Sequence, residues 1–330
     1  MAENNIRCIG ILSSGGDAPG MNAAIRAATR RALSQGIRVK GILKGYEGLI
    51  GNEMRDLNGR DVSEIVGRGG TILYSARCEE MHTEEGQERA VQVCRENDID
   101  GLVVIGGDGS FRGALELAKR GVNTIGIPGT IDLDIPCTEY TIGFDSAVNT
   151  AMQAIDKVRD TSTSHERISI IEVMGRNAGY IALWSGIAVG AEDVLIPERY
   201  DYNELEVINH IIDTRKKGKR HHIIINAEGI GHSQAMARRI EAATGIDTRA
   251  TILGHMQRGG SPTCKDRMFA TIMGATAVDL LVEGKSSRVV AYRGNEFVDI
   301  DFAEALQMKR EMDPYEINLA KNLSDGYAAG

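Results

Sequence analysis

At 330 residues, with 42% hydrophobic and 25% charged side chains, the chain has the composition of a globular protein of about two domains. Its formal net charge of −8, with no long Lys/Arg run, argues against nucleic acid as the main partner. No apolar run approaches a membrane span (Ile181–Val189 is broken by Trp184, Ser185 and Gly186), no signal region opens the chain, and five cysteines without a CxxC pair predict reduced thiols in the cytoplasm.

Arg7–Leu12 predicts a short buried strand running into the loop Ser13-Ser14-Gly15-Gly16-Asp17-Ala18-Pro19-Gly20, with a helix over Met21–Gln35 stopped by Gly36. Strand, glycine loop and helix aim free backbone N–H groups and a positive dipole end at a phosphate. A tight turn needing glycine only for its dihedrals gives the same spacing. Arg38–Leu43 is a second strand, and Gly69-Gly70-Thr71 leads through Ser75-Ala76 to Arg77. A helix over Thr83–Asn97 precedes the apolar strand Gly101–Ile105, which ends in Gly106-Gly107-Asp108-Gly109-Ser110 before a helix near Phe111. Three glycines around Asp108 suit close backbone approach to a polyphosphate, with Asp108 as a magnesium ligand. A capping residue in a Gly-rich turn is the structural alternative.

The strand Asn123–Ile127 leads into Pro128-Gly129-Thr130-Ile131-Asp132-Leu133-Asp134-Ile135-Pro136. If this loop is extended, Asp132 and Asp134 point to one side, because side chains repeat with period two. Such a pair can hold a divalent cation or take a proton from a substrate hydroxyl; a turn with Asp bonded to its own backbone is the other reading.

A helix over Asp145–Arg159 carries Val148, Met152, Ile155 and Val158 at helical spacing. Strands follow at Ile168–Val173 (ending in Met174-Gly175-Arg176), Asp193–Ile196, His222–Asn226 (ending in Ala227-Glu228-Gly229) and Arg249–Leu253 (ending in Gly254-His255-Met256-Gln257-Arg258). Between them lie a helix over Tyr202–Lys216 and the basic loop Lys216–His221; a helix over Lys265–Glu283, a strand over Arg288–Tyr292 and a helix near Phe302–Lys309 complete the chain. The seven histidines show no HxxxH or HExxH spacing, which argues against imidazole-held metal.

Strands alternate with helices, so the chain reads as an α/β protein with mostly parallel sheets, whose ligands sit at the carboxyl ends of strands. Nearly every glycine or polar cluster falls there. Gly284-Lys285-Ser286 is no P-loop, since Asp279 occupies the first glycine position, and Gly229-Ile230-Gly231 lacks the third glycine of a dinucleotide fingerprint, with Gln234 in its place. Two glycine loops, Asp108, the Asp132/Asp134 pair and Arg77, Arg167, Arg176, Arg249 and Arg258 together favour phosphoryl transfer to a phosphorylated acceptor.

The motifs Gly15–Asn22, Gly106–Ser110, Pro128–Asp132, Met174–Arg176 and Gly254–Pro262 resemble the bacterial ATP-dependent 6-phosphofructokinases, in family order and spacing over nearly the whole chain. The resemblance implies two similar three-layer α/β/α domains with the chain crossing between them more than once. An ATP-binding domain would span 1–143 plus 257–307, and a fructose 6-phosphate-binding domain 144–256 plus 308–330. Gly15, Tyr46, Arg77, Cys78 and Asp108, Gly109 and Ser110 would hold ATP, with Asp108 on Mg²⁺. Asp132 would be the base for the sugar 1-hydroxyl, helped by Thr130 and Asp134, and Arg176 with Arg77 would stabilise the transferring phosphoryl group. Fructose 6-phosphate would contact Met174, Gly175, Glu228, His255 and Arg258, with Arg167 and Arg249 reaching in from a neighbouring subunit of a homotetramer. Arg26, Arg30, Arg55, Arg159, Gly190, Glu192, Lys217 and Lys219 would form an effector site for ADP and phosphoenolpyruvate.

Pyrophosphate-dependent relatives carry aspartate where this chain has Gly109 and lysine where it has Gly129, so room for a nucleotide favours ATP. Two positions depart from the family pattern. Leu133 stands in place of an asparagine in the catalytic loop, and Glu53 where some members carry an effector-binding arginine. The alternatives are a pyrophosphate-dependent enzyme, a homologue that binds but no longer turns over, and the NAD and lipid kinases, whose Gly-Gly-Asp-Gly loops lack the Met174–Arg176 and His255–Arg258 segments.

Overall fold

The computed structural model describes residues 6–199 and 203–325. The chain divides into two compact units, Met1–Ser146 with Arg258–Arg310 and Ala147–Gln257 with Glu311–Gly330.

The first unit is built on β1 (Cys8–Ser13), α1 (Met21–Ser34), β2 (Arg38–Ile42), α2 (Gly45–Ile50), β3 (Met54–Asp56), α3 (Glu84–Glu96), β4 (Gly101–Gly106), α4 (Asp108–Lys119) and β5 (Asn123–Pro128). α5 (Phe144–His165) leads into the second unit, which holds β6 (Ile168–Val173), α6 (Tyr180–Val189), β7 (Asp193–Leu195), α7 (Glu204–Lys216), β8 (His222–Ala227), α8 (Ser233–Thr244) and β9 (Thr248–Ile252). The chain returns to the first unit for α9 (Cys264–Val282), β10 (Arg288–Arg293), β11 (Glu296–Asp301) and α10 (Phe302–Ala305), then ends in the second with α11 (Pro314–Asp325).

The seven-stranded sheet runs β11-β10-β5-β4-β1-β2-β3, parallel except for its two edge strands β3 and β11. Its central strands β1 and β4 are buried along their whole length and largely apolar, as expected when both faces are covered. Leu102 and Val104 of β4 face a core shared with Val91, Phe111, Leu117 and Phe302, while a Cβ at Gly101 would meet Leu281 of α9. The four-stranded sheet, β7-β8-β6-β9, is parallel throughout. Ile168, Ile170 and Ile224 pack there against Val207, Ile208 and Ile211 of α7 and Met236 and Ile240 of α8. Both units are therefore helix-covered parallel sheets, and the expected α/β class holds.

Several elements go beyond the sequence reading. β11 follows Gly294 and Asn295, both at positive φ, the geometry of a type I′ hairpin turn that the sequence reading passed over. α6 is apolar on nearly every side, so it has no amphipathic period to betray it. α2, β3, α8 and α11 were also unexpected. α4 starts at Asp108, three residues before Phe111, and α10 stops at Ala305. The expected helix start at Tyr202 and the N-terminal residues 1–5 lie outside the described residues. Among the described residues, no helix is long and apolar enough to cross a membrane.

Candidate active site

In the first unit, β1 and β4 are parallel neighbours, so the loops leaving their carboxyl ends meet. The Ser14 N–H donates to the Ile105 carbonyl at 2.9 Å, and the Ser110 hydroxyl donates to the Ser14 carbonyl at 3.2 Å. A Cβ at Gly106 would lie 2.4 Å from Ser110 Oγ and 2.6 Å from the Ser14 carbonyl, so only glycine lets the two loops approach this closely. Gly15 sits at φ +85°, and Asp108 opens the first turn of α4 with its positive dipole end. Tyr46 lies beneath this loop. Its hydroxyl donates to the Ser110 carbonyl at 2.6 Å, and burial pushes its pKa well up, so it supports the loop as a neutral phenol.

The segment carrying Arg77 is strapped to the same loops. Asn22 donates to the Arg68 and Gly69 carbonyls at 3.1 and 3.2 Å and accepts from the Ile72 N–H at 2.8 Å. Ser13 bonds Thr71 and the Tyr74 carbonyl, and the Ser75 hydroxyl donates to the Gly15 carbonyl. Arg77 emerges exposed and Cys78 half-buried, its thiol pushed up in pKa by burial. The donor set fits magnesium, which takes one or two carboxylates and completes its shell with water and phosphate oxygens. Asp108 is half-buried at a helix start, and a Cβ at the adjacent Gly109 would meet nothing within 4 Å.

After β5, the Gly129 N–H donates to the Gly106 carbonyl at 3.0 Å, which joins the Asp132 loop to the glycine loop. A Cβ at Gly129 would lie 3.0 Å from Ile105 and 3.1 Å from Met21, so its small size serves packing, unlike the open position 109. Thr130 and Asp132 are buried, and Thr130 Oγ1 accepts from the Asp132 N–H at 3.2 Å. The premise of an extended loop is corrected here. Leu133, only 2% exposed, adopts φ +56°, so the backbone turns left-handed between Asp132 and Asp134 and period two does not align them. Arg258, grouped in the sequence reading with sugar-phosphate residues, donates to the Asp17 carbonyl at 3.0 Å and borders Gly16, against the glycine loop of the first unit.

In the second unit, Met174-Gly175-Arg176 follows β6 and turns sharply, with Gly175 at φ +143° and Arg176 at φ +57°. Glu228, just past β8, holds this turn: its Oε1 accepts from the Gly175 N–H at 3.1 Å and the Arg176 N–H at 2.5 Å. The buried Gln257 accepts from the Met174 N–H at 2.8 Å. The Arg176 side chain is exposed, and His255 is exposed two residues before Gln257 on the short helix Gly254–Arg258. Arg167 and Arg249 do not join this cluster. They sit at the amino ends of β6 and β9, both paired with Asp247, and the length of β6 puts them about 20 Å from Met174.

The expected effector residues divide between the units. Arg26 and Arg30 lie on α1 and Arg55 on β3. In the second unit, Glu192 accepts from the Ile223 N–H at 2.6 Å and is ion-paired with Lys219, while Arg159 donates to the Val189 carbonyl at 2.5 Å, one residue before Gly190. Lys217 is exposed. Glu53 pairs with Lys44 at 3.1 Å, so its charge is partly offset.

Residues that hold the loops, as opposed to those that face a ligand, escaped the sequence reading. Asn22 was visible in a motif but had no assigned role, and Gln257 is a neutral residue between two obvious candidates. Asp266 is the largest omission. Wholly buried, it accepts from the Tyr140 hydroxyl, the Gly143 N–H, and the N–H and hydroxyl of Ser146 at 2.6–2.8 Å.

The chain matches known proteins over nearly its whole length. The family model described as Phosphofructokinase matches residues 8–281. Proteins of Clostridium botulinum (strain Loch Maree) and Brevibacillus brevis, both named ATP-dependent 6-phosphofructokinase, are each 54% identical over 97% of this chain and 100% of theirs. Among solved structures, phosphofructokinase from Pichia pastoris in the T-state superposes with a TM-score of 0.89 at 32% identity over 98% of this chain, and that from Saccharomyces cerevisiae with 0.84 at 33% over 97%. The chain spans 40% and 48% of those two yeast chains. A pyrophosphate-dependent phosphofructokinase from Marinobacter aquaeolei, at 20% identity, shares the fold with a TM-score of 0.84 over 98% of this chain and 92% of that one. By family model and by full-length identity, the chain belongs to the phosphofructokinase family.

Proposed function

We propose that this protein transfers the γ-phosphoryl group of ATP to the 1-hydroxyl of fructose 6-phosphate, giving fructose 1,6-bisphosphate and ADP, a step of glycolysis in the cytoplasm. The observation that carries this reading is the hydrogen bond from Gly129 to Gly106, which seats a buried carboxylate loop directly beside a glycine loop at the carboxyl end of a parallel sheet. A base and a phosphate cradle so placed can serve one in-line displacement.

In this mechanism Asp132 takes the proton of the 1-hydroxyl, the oxygen bonds to the γ-phosphorus, and the bond to the β-phosphate oxygen breaks to release ADP. Thr130 and Asp134 orient the base. Gly15, Tyr46, Arg77, Cys78, Gly109 and Ser110 form or support the nucleotide cradle, with Tyr46 acting from beneath. Mg²⁺, held by Asp108, supplies charge neutralisation on the phosphates when bound with the nucleotide. Arg176 and Arg77 stabilise the phosphoryl group in transfer through their planar forks. Met174, Gly175, His255, Arg258 and Glu228 bind the sugar phosphate; since Oε1 of Glu228 is taken by two backbone N–H groups, Oε2 is the oxygen for a sugar hydroxyl.

The residues assigned to the nucleotide lie in the unit Met1–Ser146 with Arg258–Arg310, and Met174, Gly175, Arg176, Glu228 and His255 lie in the unit Ala147–Gln257 with Glu311–Gly330. Arg167 and Arg249, remote from Met174 within one chain, support a homotetramer in which they serve a neighbour's site. ADP and phosphoenolpyruvate are the effectors assigned to Arg26, Arg30, Arg55, Arg159, Gly190, Glu192, Lys217 and Lys219.

A coupled assay of fructose 1,6-bisphosphate formation, with ATP or pyrophosphate as donor plus Mg²⁺, tests the reading. Turnover with ATP alone is expected. Turnover with pyrophosphate alone would overturn the donor assignment, and sugar-phosphate binding without turnover would assign the chain to binding instead of catalysis.

A further inference from the structure

The fold brings together in the second unit three side chains that sequence spacing kept apart. Asp193 opens β7, His222 opens β8, and His210 lies on α7. The Asp193 carboxylate receives His222 Nε2 at 2.7 Å and His210 Nδ1 at 3.1 Å. The two imidazole rings stand nearly perpendicular, at 81°, with centroids 5.3 Å apart, so both edges converge on one carboxylate. One ligand atom from each residue lies within 4.8 Å of the other two. His222 is buried, and Asp193 and His210 are less than one-fifth exposed.

We propose that Asp193, His210 and His222 form a binding site for a divalent transition metal of the zinc class. Two imidazoles and one carboxylate suit zinc, whereas magnesium and calcium favour oxygen alone. Zinc bonds these donors at about 2.0–2.2 Å, which in a tetrahedral site sets ligand atoms about 3.3–3.5 Å apart. From contacts of 2.7 and 3.1 Å, the carboxylate and the imidazoles need to part by about 0.2–0.8 Å to admit the ion. His222 Nε2 and His210 Nδ1 each serve the ion as a lone-pair donor, so in the loaded site the N–H of each imidazole lies on its other ring nitrogen.

The site also has an entry path and a place for a further ligand. Asp193 and His210 line a cavity of about 350 Å³ that also carries Glu192, Glu206 and Asp213 beside Arg199, Lys217 and Lys321, so its charges nearly balance and the metal ligands themselves must supply the selectivity. A water from this cavity completes four-coordination, as in zinc sites with three protein ligands. The competing account is a triad in which two imidazoles serve only to satisfy a buried carboxylate, and it predicts no metal affinity.

The test uses the full chain, stripped with EDTA, equilibrated with Zn²⁺ in excess Mg²⁺, desalted and measured for bound metal, with Co²⁺ as a spectroscopic probe. The expected result is about one Zn²⁺ per chain and the intense visible bands of four-coordinate Co²⁺. His210→Ala should weaken Zn²⁺ binding by about 100-fold or more, since losing a supporting contact alone costs about 10–100-fold. His210→Gln, which keeps an amide donor for Asp193, serves if the alanine variant fails to fold, and Cys264→Ser removes an exposed thiol as an alternative ligand. No retained zinc in the wild-type chain, or retention undiminished in the His210 variant with Cys264→Ser, overturns the proposal.

Discussion

Two turns in this molecule share a backbone conformation and are held by opposite means. Leu133, between Asp132 and Asp134, and Arg176, at the end of β6, both take the left-handed conformation that non-glycine residues adopt at a cost of about 1–3 kcal/mol, with φ +56° and +57°. The Arg176 turn is braced by polar side chains: Glu228 takes two of its N–H groups and Gln257 a third. At the Leu133 turn, the leucine is itself buried, with Thr130 accepting the Asp132 N–H. A turn whose own side chain faces solvent must be fixed from outside through its backbone; one whose central side chain is buried can be fixed by packing. Strain is thus tolerated at both, and what each presents to a ligand is decided by its brace.

The largest expected effect falls on the group the first turn presents. Asp132→Asn keeps the volume and the backbone bond to Thr130 but removes the proton acceptor. Its kcat should fall by about 10²–10⁴, the usual range for a general base, with little change in unfolding midpoint. A variant that keeps wild-type kcat would remove Asp132 from the mechanism and make the turn a purely structural feature.

Next comes the polar brace. Glu228→Ala leaves two backbone donors of the Arg176 turn without their acceptor. The expected loss is about 1–3 kcal/mol in urea unfolding, together with a higher KM for fructose 6-phosphate. Glu228→Gln keeps one oxygen and should recover most of the stability but not all of the KM. If the alanine variant unfolds like the wild type, the brace is not what holds Arg176 in its strained conformation.

In the first unit a different brace is open to a pH test. Burial raises the pKa of Asp266 above its ordinary value, even though four hydrogen bonds favour its ionised form. The sign follows from linkage: a carboxyl raised on folding binds its proton more readily in the folded state, so ionisation of this group opposes folding above its folded pKa. That opposition is relieved as pH falls through the raised value. Asp266→Asn removes the pH term, yet offers a single acceptor to four donors, and should destabilise the chain by about 1–3 kcal/mol at neutral pH.

These braces explain what the sequence could and could not disclose. Glycine loops, the Asp108 and Asp132 positions and the parallel strands were legible because hydrophobic runs and glycines act locally, within a few residues of each other. Asn22, Gln257 and Asp266 act across long separations on backbone groups, and nothing in their own neighbourhoods marks the partner. The Asp193–His210–His222 cluster was hidden for the same reason: His210 and Asp193 are 17 residues apart, on a helix and a strand that only packing brings together. The left-handed Leu133 was equally hidden, since a leucine gives no local signal for positive φ.

The smallest effect is the one that separates strain from packing. Leu133→Asn introduces the residue type more at ease at positive φ, which favours the folded state by about 1 kcal/mol. It also gives up a buried isobutyl group worth about 1.5–3 kcal/mol. Packing therefore wins, and the variant should be less stable by about 1 kcal/mol in urea unfolding, with kcat within about tenfold of wild type because both carboxylates remain. Leu133→Gly sharpens the point: it removes the strain entirely but leaves a cavity, and should be less stable still. If instead Leu133→Asn raises the unfolding midpoint, strain outweighs burial at this turn, and the leucine is a residue the loop tolerates against its own conformational preference.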